Sequence, residues 1–146
     1  LHRQQYKANQ IGMSKTEALQ DNLKEINPYL ETKIHTIRLD ENNAKGILAD
    51  ADIICEAFDN AECKAMLVNL VLYSMPNKYI VAASGMAGLD SANSIRTRKV
   101  SSRFYLCGDE VSDVKVEGSL ISSRVMICAA HQAHTTLRIL AEQFET

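Results

Sequence analysis

Residues 51–60 read ADIICEAFDN, and the fold turns on how they are understood. Ala51 to Phe58 is a compact apolar run, the pattern of a strand buried on both faces. Asp59 and Asn60 end it. The following stretch, AECKAMLVNLVLYSM (61–75), is a strongly apolar helix stopped by Pro76. Working upstream, Ser14 and Glu17 fit an S-x-x-E capping box, with Leu19, Leu23 and Ile26 at helical spacing and Pro28 closing the run. KIHTIRL (33–39) reads as a strand and DENNAKGIL (40–48) as a short helix opened by Asp40. Downstream, YIVAASG (79–85) is a second buried strand and FYLCG (104–108) a third, reached through a polar crossover from Leu89 to Arg103. A long helix, from Ser122 to about Phe144, follows. Strands alternating with helices predict an α/β fold whose sheet is mostly parallel, with right-handed crossovers.

Apolar residues at 46% and charged residues at 23% of 146 are ordinary for a water-soluble globular domain. Sixteen Lys and Arg against eighteen Asp and Glu leave a formal charge of −2, which argues against a nucleic-acid partner. AMLVNLVLY (65–73) is too short to span a bilayer, so no membrane is expected, and no charged-then-apolar signal segment opens the sequence. Cys55, Cys63, Cys107 and Cys128 form no C-x-x-C pair, which predicts reduced thiols, a cytoplasmic protein and no structural zinc.

Open α/β sheets bind ligands beyond the carboxyl ends of their strands, so the residues there are the candidates. Asp59 can coordinate Mg²⁺ bridging substrate phosphates, or it can cap the helix that follows. Lys15 stands in the first turn of its helix, where the dipole disfavours a cation unless an anion shares the site; otherwise it is a solvated surface lysine. Arg3 can fork onto a phosphate or pair with a surface acid. His131 and His134, one turn apart with Cys128 a turn earlier, read as packing or surface residues because further metal ligands are not evident. The basic IRTRK (95–99) can guide an acidic partner, or form a solvated loop.

LHRQQY (1–6), IGMSKTEAL (11–19), INPYLE (26–31) and ADIICEAFDNAECK (51–64), in that order, resemble the ubiquitin-activating-enzyme-like superfamily. VAASGMAG (81–88), NSIRTRK (93–99), FYLCGD (104–109) and ICAAHQA (127–133) are similar to its ThiF-type branch, the sulfur-carrier-protein adenylyltransferases of thiamine biosynthesis. The resemblance implies one Rossmann-like adenylation domain over residues 1–146, the carboxyl-terminal portion of a longer domain. It implies an enzyme that uses ATP and Mg²⁺ to convert the C-terminal carboxylate of a small ubiquitin-like sulfur carrier protein into an acyl-adenylate. Carried over to this chain, Arg3 contacts the triphosphate across a homodimer, Lys15 binds phosphate, Asp59 attends the Mg²⁺ and Asn60 completes the nucleotide site. The glycine-rich nucleotide loop and the ribose-holding acid of that family are absent, as is any G-x-G-x-x-G. The first strand–helix–strand unit is therefore expected to be missing, and a chain starting at Leu1 to be inactive alone. Two other readings stay open: an NAD(P)-dependent oxidoreductase, whose Rossmann strand ADIICEAF would equally suit, and a non-catalytic carrier-binding relative.

Overall fold

The computed structural model describes residues 4–145, which form two compact units that divide between Leu39 and Asp40. In the first unit, helix α1 (Lys15–Ile26) begins at Ser14, whose hydroxyl oxygen accepts the Glu17 amide at 3.3 Å. The capping box is not reciprocal, because the same hydroxyl donates to the Glu17 carboxylate at 2.8 Å. The helix ends at Asn27, ahead of Pro28, as its periodicity predicts. Gln20 then ties α1 to Thr32, and Thr16 bonds Thr36, at 2.8 and 2.7 Å.

Residues 33–39 are not a strand, contrary to the sequence expectation. Ile34 and Ile37 are 37% and 58% exposed, and no strand among the described residues pairs with them. Composition alone does not satisfy a strand's amides; a ladder needs a neighbour.

The second unit contains the sheet. It opens with a turn in which the Asp40 carboxylate accepts the amides of Asn42 and Asn43, leading into the short helix α2 (Ala44–Ile47). Strand β1 (Ile53–Cys55), helix α3 (Ala61–Ser74) and strand β2 (Tyr79–Ala83) make a parallel crossover unit. Strand β4 (Phe104–Gly108) pairs parallel with β2, and β3 (Arg96–Ser101) returns antiparallel beside β4, giving the order β1, β2, β4, β3. Helices α4 (Val114–Glu117) and α5 (Ser122–Leu140) follow. This is the mostly parallel, helix-flanked Rossmann-like sheet expected from the alternating pattern.

Three readings need correction. β1 is an edge strand whose Ile54 is buried but whose Cys55 is exposed, so only part of the apolar run lies in the interior. The crossover from Leu89 to Arg103 contains β3, which sequence pattern hides: arginine, threonine and lysine alternate there, with no apolar period. Helix α5 stops at Leu140, and Phe144 instead folds back to stack on Tyr79 with ring centroids 5.8 Å apart.

The core lies between the sheet and α5. Val81, Ala83, Tyr105 and Cys107 share one sheet face and pack with Cys128 and Ile139 of the helix. Ile80 and Ala82 point the other way and are also buried, on the side where α3 meets β2. Arg103, just before β4, donates to the carbonyls of Leu72, Met75 and Lys78, satisfying the acceptors at the end of α3.

Candidate active site at the carboxyl ends of the strands

Beyond Cys55 the chain continues the ladder for one residue, the Glu56 amide donating to the Val81 carbonyl at 2.9 Å. This places the Glu56 side chain inside the protein, where it is 0% exposed. A carboxylate there needs partners, because removing a charge from water is costly without them. Both its oxygens accept from the Lys64 ammonium at 3.0 Å, and the amides of Phe58 and Ala83 complete the set. Lys64 lies on α3, so one buried carboxylate ties the end of β1, the loop after it, β2 and the next helix together. The Gln132 amide of α5 adds bonds to the Glu56 and Val81 carbonyls at 2.9 and 3.1 Å.

That frame holds the loop bearing Asp59. The helix cap is Asn60, whose side-chain oxygen accepts the Cys63 amide at 2.9 Å, and Asp59 is not needed for it. Asp59 is exposed and has no hydrogen bond or ion pair among the described residues. The capping reading of Asp59 is thereby replaced: a free carboxylate stands just outside the carboxyl end of β1, beside the amino terminus of α3.

The neighbouring strand ends are built differently. Asp109 follows β4 and is buried, with Oδ1 accepting the amides of Val111 and Ser112 at 2.9 and 2.8 Å and Oδ2 paired to buried Arg124 of α5. Burial alone would raise its pKa; the Ser112 and Val111 amides, the Ser112 hydroxyl and Arg124 outweigh it and hold the carboxyl below its ordinary value. Arg124 also donates to the Ser91 carbonyl at 3.2 Å, anchoring the loop after β2. Two glycines allow this. Gly85 has φ +75°, and a Cβ there would stand 2.0 Å from Asp109 Oδ1; at Gly108, φ +140°, it would stand 1.7 Å from the Ser84 carbonyl oxygen. Further out, Ala87 N bonds Ser112 Oγ and Gly88 N bonds the Ser119 carbonyl, joining the loops after β2 and β4.

Lys15, the second expected site residue, is the first residue of α1 in the other compact unit. It is exposed and lines an open depression of about 340 Å³ with Thr16, His35, Thr36, Ile37 and Arg38. Arg3 lies outside the described residues. The structure therefore sets Asp59 and Asn60 side by side, with Lys15 in a separate unit.

The cysteines divide by burial. Cys107 and Cys128 are interior, and burial raises both thiols, Cys128 to about 12, which makes them poor nucleophiles. Cys55 is exposed and 3.1 Å from the Thr136 hydroxyl, and Cys63 is half-buried. His131 meets the Thr97 hydroxyl through Nδ1 at 3.0 Å, and no group of three or more His, Cys, Asp and Glu side chains gathers for a metal among the described residues. The IRTRK segment is strand rather than loop, and its Arg98 is engaged by Glu110 at 2.8 Å. No helix among the described residues is long and apolar enough to cross a membrane.

Glu56, Lys64, Asp109 and Arg124 escaped sequence reading. A signal existed for the first pair: one acid inside an apolar run, with a lysine eight residues on in the following helix. Asp109 and Arg124, fifteen residues apart across a loop and a short helix, offered none.

Known proteins share both sequence and fold with the chain. The adenylyltransferase and sulfurtransferase MOCS3 of Caenorhabditis briggsae is 38% identical over 78 residues, covering 52% of this chain and 19% of that protein. The adenylyltransferase and sulfurtransferase UBA4 of Candida glabrata is 27% identical over 147 residues, covering 96% of this chain and 33% of that protein. The chain thus spans between about a fifth and a third of the length of these curated relatives. The crystal structure of E. coli tRNA N6-threonylcarbamoyladenosine dehydratase, TcdA, matches with a TM-score of 0.77 at 13% identity, over 97% of this chain and 70% of that one. A structure of the same dehydratase in complex with ATP matches at 0.73 and 13% identity, over 92% and 67%. At such identities the structural likeness establishes the fold. The ThiF family profile extends over residues 1–146, and the chain belongs to the ThiF family.

Proposed function

We propose that residues 1–146 form the adenylation domain of an ATP-dependent adenylyltransferase. Its substrate is the C-terminal carboxylate of a small ubiquitin-like sulfur carrier protein, and its product an acyl-adenylate. The family match over the whole chain is the observation that carries this reading. The names of the curated relatives, which join adenylyltransferase to sulfurtransferase, support a sulfur carrier as partner. The solved ATP complex of a structural neighbour supports the nucleotide. The thiamine branch and a homodimer rest on the sequence resemblance, and a cytoplasmic location on the scattered, unpaired cysteines.

The residues fit the nucleotide and metal chemically. Mg²⁺ commonly takes one or two carboxylates beside substrate phosphates, and Asp59 offers an uncommitted one. Bound there, Mg-ATP supplies the adenylyl group and an α-phosphorus made more electrophilic by charge neutralisation. The chain's part is to hold and neutralise. Lys15 and the first amides of α1 present positive charge to a phosphate, Ser14 taking up only the Glu17 amide. Asn60 fixes the first turn of α3, so that Asp59 is presented by a rigid corner rather than a loose loop. Arg3 supplies a further cation, reaching into the neighbouring subunit's site of a two-fold dimer. Together these offset the repulsion between the carrier's carboxylate and the triphosphate.

Carrier-dependent exchange of pyrophosphate into ATP by the full-length protein tests the proposal. Exchange that requires the carrier and Mg²⁺ is expected. Absence of exchange with every ubiquitin-like carrier of the host, or saturable NAD(P) binding in place of ATP, would overturn it. Sedimentation at micromolar concentration checks the dimer: a fully active monomer contradicts the role given to Arg3 in a neighbouring site.

A further inference from the structure

A second concave site lies on the sheet face that α5 covers. Helix α5 runs from Arg124, beside Asp109 at the carboxyl end of β4, to Ile139, which packs with Tyr105 near that strand's amino end. Against the last turns of α5 opens a cavity of about 270 Å³. Thr97, His131, His134 and Arg138 give it polar groups, and Tyr105 and Ile139 an apolar wall. Asp59 is not among its lining residues, and the chemistry of the proposed function makes no use of it.

The donors around this cavity are under-used. His131 is fixed through Nδ1 by the Thr97 hydroxyl at 3.0 Å, leaving Nε2 without a partner among the described residues. His134 is exposed and has no hydrogen bond among them. Arg138 donates from Nη2 to the Glu145 carbonyl at 2.7 Å, while its Nε is buried and unpaired. A buried donor with no acceptor is uncommon in a native protein and calls for an explanation. Lys99 adds a cation nearby, donating to the Phe144 carbonyl at 2.9 Å with its ammonium 5.8 Å from the Tyr105 ring centroid. Against these stands, among the described residues, one carboxylate in the lining, Glu145. Two imidazoles with an arginine beside them suit an anion; a metal ion would have to accept the guanidinium as a neighbour, and no group of three ligands gathers there among the described residues.

We propose that this cavity binds a small organic oxyanion, a phosphate monoester or a carboxylate. Arg138, His131 and His134 hold the charged head, and Tyr105 and Ile139 receive the apolar body. The volume suits a small ring or short chain and exceeds the needs of a bare phosphate ion.

NMR titration of the isotope-labelled full-length protein is the test. Phenyl phosphate and benzoate are the two probes, inorganic phosphate and acetate their head groups alone, and sodium chloride the control for ionic strength. Saturable shifts of the Thr97, His131 and His134 signals with one probe, absent in chloride, are expected, and the tighter probe identifies the head group. Arg138→Gln should weaken that binding about tenfold or more, as loss of a charge-assisted hydrogen bond does. His134→Gln, on an exposed residue that the fold does not need, should weaken it by a smaller factor. It stands as the second variant should Arg138→Gln fail to fold. No saturable shift with either probe, shifts that chloride reproduces, or unchanged affinity in the folded variants would overturn the proposal and leave the cavity a water-filled recess.

Discussion

Asp59 and Asp109 both follow a parallel strand of one sheet, Asp59 a short loop beyond β1 and Asp109 directly after β4. Asp109 is buried and fully engaged, by two amides and a buried arginine. Asp59 is exposed and engaged by nothing among the described residues, since Asn60 has taken over the cap. Two carboxylates of the same kind, at equivalent ends of the sheet, therefore do different work. One satisfies buried groups of the protein itself; the other faces solvent. Position at a strand's carboxyl end nominates both residues, and only the one without protein partners is free to meet a ligand, the role proposed for Asp59.

The contrast can be broken from the Asp109 side first. Asp109→Ala leaves the Arg124 guanidinium buried without its counter-charge and should destabilise the protein by about 3–5 kcal/mol, read from urea or thermal unfolding. The pair also has a pH signature. Because the Asp109 carboxyl is held below its ordinary value in the folded protein, its contribution is full above the unfolded-state carboxylate pKa. It is lost as the pH falls through the folded-state value. In Asp109→Asn the acid limb of the stability profile should be flatter than in the parent; an unchanged limb would remove Asp109 from the account.

A smaller effect is expected at Gly85. Alanine there must adopt φ +75° and push against Asp109 Oδ1. The backbone strain alone is about 1–3 kcal/mol, so Gly85→Ala should lower the unfolding midpoint and loosen the same corner. Asn60→Ala removes only a helix cap and should lose about 0.5–2 kcal/mol. If Asn60→Ala proved neutral while Asp59→Ala reproduced that loss, the cap would belong to Asp59 after all, and the comparison would reverse.

How much of this was legible in the sequence depended on whether the signal was local. The Ser14 cap, the stops at Pro28 and Pro76, and the apolar runs of β2, β4 and α3 are each decided within a few residues, and each stands where its pattern puts it; α5 begins where expected and ends four residues early. Residues 33–39 failed because a strand is completed by its neighbour. β3 failed in the opposite sense: Arg96 to Ser101 has no apolar period, yet it pairs because β4 offers a ladder and because Thr97 meets His131 and Thr135 of α5. At the site, Asp59 and Asn60 were visible as the pair that ends an apolar run. The network that holds them was not, because Glu56 looks like one charge among apolar neighbours until the fold brings Lys64 and Ala83 to it.

The smallest effect on stability should come from Asp59 itself. With no partner to lose, Asp59→Ala should unfold within about 0.5 kcal/mol of the parent. The decisive measurement sets this variant beside Asp109→Asn in the full-length protein, following carrier-dependent ATP–pyrophosphate exchange and urea unfolding on the same preparations. Asp59→Ala is expected to keep the parent's unfolding midpoint and lose exchange, whereas Asp109→Asn loses stability first. An Asp59→Ala protein that is folded and exchanges pyrophosphate at the parent's rate would contradict the assignment of Asp59 as the free, functional carboxylate.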